Sequence, residues 1–173
     1  MTMETSRTLE TNRLLLRPFK PDDLEDLLAL NSDEETMRYI TEPLNREQVA
    51  KVIDWFISEW SRLGYGWFAV LKKDSGDFVG QCGLQCLEGR PESADVELAF
   101  VISKAYWGLG YATEAAQAVA TFAMEEAGLK RIVAVTMAAN VQSQRVLEKL
   151  HFQFEANREL YGRTVMYYSL ASV

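Results

Sequence analysis

At 173 residues, with 48% apolar and 25% charged side chains, the chain has the composition of one soluble globular domain with a sizeable core. No apolar run approaches the roughly 20 residues of a membrane helix, and Met1 to Glu10 lacks the apolar centre of a secretory signal, so no membrane is implied and a cytoplasmic setting is expected. A formal charge of −7 repels phosphate backbones, which argues against nucleic acid and suits a cationic partner such as an amine or a basic peptide.

Arg13 to Phe19 (RLLLRPF) predicts a first strand, stopped by Pro18 and Pro21. Pro21-Asp22-Asp23 then opens a helix, since proline suits its first turn and acids its positive end. A second helix is expected over Arg46 to Arg62, with Val49, Val52, Ile53, Phe56, Ile57 and Trp60 as its apolar stripe and Gly64 as its stop. Trp55, Trp60, Tyr65 and Trp67 cluster around that helix and its exit, as core or as walls of a site. Trp67 to Leu71 and Phe78 to Leu87 form a hairpin about the turn Lys73–Asp77. Cys82 and Cys86 lie four residues apart on its second strand, about 13 Å, too far for a disulfide, so reduced thiols are expected. With a single histidine in the chain, no ligand spacing suggests zinc, and no metal is expected. Asp95 to Ile102 is a further strand, Tyr111 to Ala127 a long helix ended by Gly128, Arg131 to Met137 a buried strand and Val141 to Leu150 a short helix. Phe152 to Leu160 and Thr164 to Leu170 close the chain as a hairpin about Gly162. The order β-αα-β-β-β-α-β-α-β-β implies a mixed sheet with a parallel pair at its centre, an α/β or α+β fold in one domain.

The stretch richest in chemistry is Glu97 to Ala116, ELAFVISKAYWGLGYATEAA, where a strand passes through a glycine-containing loop into an alanine-rich helix. The first amides of a helix lack internal partners, and with the helix dipole they form an anion site. Gly108 and Gly110 leave that backbone bare, so residues 108 to 113 read as a pyrophosphate cradle. No lysine follows as a P-loop requires. The glycine pattern of a dinucleotide fold is half complete, with Thr113 at its last position and Lys130 and Arg131 where an acid belongs. Coenzyme A remains.

At this point the chain resembles the GNAT family of N-acetyltransferases. YWGLGYATEA is similar to that family's acetyl-coenzyme A loop, [QR]-x-x-G-x-[GA], through Gly110 and Ala112, with Trp107 where glutamine or arginine is usual. TNRLLLRPFKPDDLEDLLAL is similar to the N-terminal signature of the branch holding ribosomal-protein N-terminal acetyltransferases. Asn140-Val141-Gln142-Ser143 followed by VLEKLHF is similar to that branch's N-x-x-S…V-x-x-K-L-G-F segment. The resemblance implies the GNAT fold, acetyl-coenzyme A as cosubstrate and direct attack by a primary amine, on a protein N-terminus or a small molecule, in a ternary complex. It further implies that Phe100, Val101 and Ile102 splay from the neighbouring strand to pair with the pantetheine arm. Trp107, Gly108, Leu109, Gly110, Tyr111, Ala112 and Thr113 would hold the pyrophosphate end, and Asn140 the arm, unless it only caps its helix. Glu97 is the expected base, directly or through water, and Ser143 the hydrogen-bond partner of the leaving sulfur, because Leu147 stands where many members carry a tyrosine. Tyr106, Trp107 and Tyr111 could wall the cofactor or pack in the core. His151, where relatives carry glycine, is expected to act as a cation at a helix end. The chain would act as a monomer or a homodimer. The alternative is a non-catalytic module that senses coenzyme A or its acyl forms.

Overall fold

The computed structural model describes residues 7–172. Strands β1 (Leu9–Glu10), β2 (Leu14–Pro18), β3 (Trp67–Lys72), β4 (Phe78–Cys86), β5 (Val96–Ile102), β6 (Arg131–Thr136), β7 (Gln153–Leu160) and β8 (Arg163–Ala171) form one sheet in the order β1-β2-β3-β4-β5-β6-β8-β7. Every neighbouring pair is antiparallel except β5 with β6. That parallel pair is joined by the helix α4 (Tyr111–Glu125), as a parallel connection requires. The expected mixed α/β fold and element order are found, with β1 and a one-turn helix over Glu34–Met37 added: segments of two and four residues carry no readable period.

Alternating side chains sort the core onto two faces. Phe68, Val70, Cys82, Leu84, Leu98 and Ile132 pack with α4 and with α5 (Val141–Lys149). Ala115, Ala116 and Ala120 of α4 are buried against them, small enough to bring the helix close. On the other face, Trp67, Ala69 and Val101 meet α1 (Leu24–Ser32) and α3 (Arg46–Leu63), along with Met37 of α2 (Glu34–Met37).

Sequence marks explain most of the helix ends. Asn45 Oδ1 accepts from Gln48 N at 3.0 Å and Gln48 Oε1 from Asn45 N at 2.8 Å, a reciprocal cap that starts α3. Gly64 ends it in the left-handed conformation expected of a helix stop. Pro21-Asp22-Asp23 forms a 3₁₀ turn and α1 begins only at Leu24, because Asp23 is drawn into a bidentate pair with Arg17 at 2.7 and 2.8 Å. Cys82 and Cys86 are buried free thiols. None of the described helices is long and apolar enough to cross a membrane.

Candidate active site

The centre of the sheet opens. Strand β5 pairs with β4 along its whole length, from Cys86↔Val96 to Gly80↔Ile102, but with β6 only at Glu97↔Val133. Beyond that bridge the two strands diverge. Ser103 N donates to Val79 O at 2.9 Å, and donors alternate along an antiparallel ladder, so the N–H groups of Phe100 and Ile102 turn into the opening. The Ile102 carbonyl is occupied, accepting from the Trp107 indole at 2.7 Å.

After a 3₁₀ turn over Lys104–Tyr106 the chain enters α4 through Gly110, which adopts φ 83°, a conformation that favours glycine. No side chain caps this helix, and no described group accepts from the amides of residues 108 to 113. The loop is instead held through its carbonyl and its helix. Arg13 donates to Leu109 O at 2.8 Å and to Glu114 Oε2 at 2.7 Å, and its guanidinium lies 4.5 Å from the centre of the Tyr111 ring. Thr11 also donates to Glu114, at 2.6 Å.

These amides border a cavity of ≈570 Å³ whose walls include Phe100, Val101, Ile102, Trp107, Gly108, Gly110, Tyr111, Ala112, Thr113, Asn140 and Ser143. Tyr106 also lines it, so all three aromatic residues of this stretch face the cavity. Leu109 does not, and its side chain is exposed. A second cavity of ≈260 Å³ lies on the α1–α3 face and contains Glu97. The two share Ile40, Phe100, Val101, Asn140 and Ser143 as walls, so the cavity of the glycine loop and that of the carboxyl are neighbours.

Glu97 is 4% exposed. It accepts from Gln85 Nε2 at 3.0 Å and from the Tyr161 hydroxyl. Burial raises its pKa above the ordinary carboxylate range, against the pull of these two hydrogen bonds. Tyr161 sits at the tip of the β7–β8 hairpin, which curls over the sheet. Its hydroxyl also accepts from Glu88 N at 2.9 Å and Gln85 Nε2 at 3.0 Å, while its own N–H donates to Glu88 Oε1 at 2.9 Å. Burial and the Glu97 charge raise the Tyr161 phenol. Glu88 (φ 57°) and Tyr161 (φ 54°) are both left-handed, and with His151 they are the described non-glycine residues of positive φ. Two such residues gripping one another beside a buried carboxyl place local strain at the site.

Asn140 caps α5, accepting from Ser143 N at 3.3 Å. This leaves Ser143 free of the capping role, and no described residue hydrogen-bonds its hydroxyl. His151 follows α5 at φ 64°, with its N–H on Glu148 O at 3.0 Å. It holds the left-handed turn where glycine is favoured and lies outside both cavities. Trp55 and Trp67 line the smaller cavity, whereas Trp60 packs on Phe68 and Phe122 with Tyr65 beside that cluster. Sequence reasoning missed Gln85, Tyr161, Arg163 and Arg13. Gln81 and Gln85 carried a faint signal, being polar at the same phase of an otherwise apolar strand, while Tyr161 beside Gly162 read as a turn.

The GNAT acetyltransferase domain model matches residues 13–153. An uncharacterized N-acetyltransferase of Bacillus subtilis, YoaA, is 31% identical over 150 residues, covering 85% of this chain and 83% of its own. An acetyltransferase structure from Agrobacterium tumefaciens superimposes with a TM-score of 0.85 at 21% identity, over 99% of this chain and 98% of that one. RimL, a ribosomal L7/L12 alpha-N-protein acetyltransferase solved with coenzyme A, gives 0.80 at 18% identity over 95% and 98%. With its glycine loop, opened sheet and family match in agreement, the chain belongs to the GNAT family and is an N-acetyltransferase.

Proposed function

We propose that the chain transfers an acetyl group from acetyl-coenzyme A to a primary amine in a ternary complex, with Glu97 as base and Ser143 as hydrogen-bond partner of the leaving sulfur. The observation that carries this reading is the shared wall: Glu97 in one cavity and the bare amides of residues 108 to 113 in the other are joined through Phe100, Asn140 and Ser143. The residues fit the cosubstrate. Six successive amides without described partners, at the head of a 15-residue helix, suit a diphosphate, and the Ile102 N–H suits an extended amide arm. Bound there, acetyl-coenzyme A supplies the thioester whose acetyl group passes to the amine.

The chain's own residues account for the rest. An ammonium cannot attack, so a proton must leave first, and Glu97 receives it directly or through a water. Burial helps, because a carboxyl raised toward the working pH is a stronger base than an exposed one. The Phe100 N–H stabilises negative charge on the acetyl oxygen, and the Ser143 hydroxyl donates toward the sulfur. Two free thiols fit a reducing, cytoplasmic compartment. Free thiol released from acetyl-coenzyme A on adding an amine tests the reading. If coenzyme A binds and a broad panel of amines and peptides releases no thiol, the chain is a sensor instead.

A further inference from the structure

Three buried side-chain atoms among the described residues lack a hydrogen-bond partner: Asn31 Oδ1, Gln81 Oε1 and Arg163 Nε. All three belong to walls of the ≈260 Å³ cavity that holds Glu97. An unpaired buried polar atom is costly, and folded proteins keep few of them. Their gathering in one cavity indicates a ligand that completes them.

Arg163 reaches from the β7–β8 hairpin to the loop after α2, where Nη2 donates to Ile40 O at 2.6 Å and Nη1 faces Met137 Sδ at 3.4 Å. No described carboxylate pairs with it. The cavity thus contains one acid, Glu97, and one guanidinium with donors to spare. That pattern complements a molecule bearing both an amine and a carboxylate. The walls also include the aromatic side chains of Trp55, Phe56, Trp67 and Phe100. Asn31 and Gln81 are 3% and 6% exposed, and each offers a carbonyl oxygen, which only a donor can satisfy.

Size and spacing narrow the class. At ≈260 Å³ the space holds the equivalent of about nine waters, enough for one amino-acid residue. Gln85 pairs with Glu97 and Gln81 with Val101, so the Gln81 backbone lies four residues, about 13 Å, along the strand from that of the base, which suits an elongated ligand.

We infer that the acceptor, within the acetyl-transfer reading on which this inference rests, is a free aromatic α-amino acid whose ring carries a hydrogen-bond donor. Its amine faces Glu97, its carboxylate Arg163, and its ring donor Asn31 and Gln81. Thiol release should be measured with tyrosine, tryptophan, phenylalanine, tyramine, tryptamine and a tripeptide with a free N-terminus. Tyrosine or tryptophan should exceed its decarboxylated amine by more than tenfold in kcat/KM, and phenylalanine by about tenfold. Arg163→Gln should bring the ratio of amino acid to decarboxylated amine close to one, and Arg163→Lys should restore part of it. A structural role alone would lower both substrates together. Amines or peptides turned over as well as the amino acids would overturn this inference and leave acetyl transfer standing. Release with no acceptor at all would remove both.

Discussion

Glu97 holds a carboxyl where water scarcely reaches, so its two duties oppose one another. Because burial raises its folded pKa above the unfolded value, its contribution to stability is full below the ordinary carboxylate range and is lost as pH rises through the folded pKa. The amide of Glu97→Gln carries no such cost. This variant should lose at least about 100-fold in kcat, keep its affinity for coenzyme A by calorimetry, and melt at or above the wild-type temperature at pH 8. His151 gives a second prediction at this scale. A histidine at φ 64° bears a strain of about 1–2 kcal/mol that glycine relieves, against some loss of chain entropy. His151→Gly should therefore stabilise the fold by about 1 kcal/mol in urea denaturation with kcat unchanged. The residue position was legible in the sequence, as a histidine where glycine is usual. The left-handed backbone angle that favours glycine there was not.

The element that decides the behaviour of the base is the β7–β8 hairpin. Its tip places Tyr161 on Glu97, Gln85 and the Glu88 backbone at once. Tyr161 positions the carboxyl, and its donated hydrogen bond holds the Glu97 pKa below what burial alone would give. Tyr161→Phe should move the acidic limb of the kcat/KM profile to higher pH, whereas a merely loosened hairpin would lower the plateau and leave the limb in place. Strand and helix spans could be read in the sequence because apolar period and glycine stops are local signals, as at α3 and Gly64. The curl that brings Tyr161 across the sheet could not, since it arises from contacts between residues 64 and 73 positions apart.

At the scale of the molecule, the glycine loop pointed to the cofactor side, and the described residues named for it, except Leu109, line one cavity. The acceptor side was nearly silent, because its polar members Asn31, Gln81 and Arg163 come from three separate elements and share no motif. A diphosphate at the head of α4 should stabilise the folded state by about 2.7 kcal/mol at 100 times Kd, a rise of roughly 5–10 °C in melting temperature. Gly110→Ala forces a side chain onto φ 83° and within 3.3 Å of Arg13 Nη2. It should shrink that rise, as followed by differential scanning fluorimetry.

The single bridge between β5 and β6 has a consequence for amide hydrogen exchange. In most sheets protection is greatest at the middle and fades toward the rims. Here the Phe100 and Ile102 amides, in the fifth of eight strands, face a gap and should exchange as fast as those of a rim strand, while Val101 between them, bonded to β4, stays slow. Adding coenzyme A should erase that alternation by slowing Phe100 and Ile102, so a deuterium time course would report cosubstrate docking without any turnover.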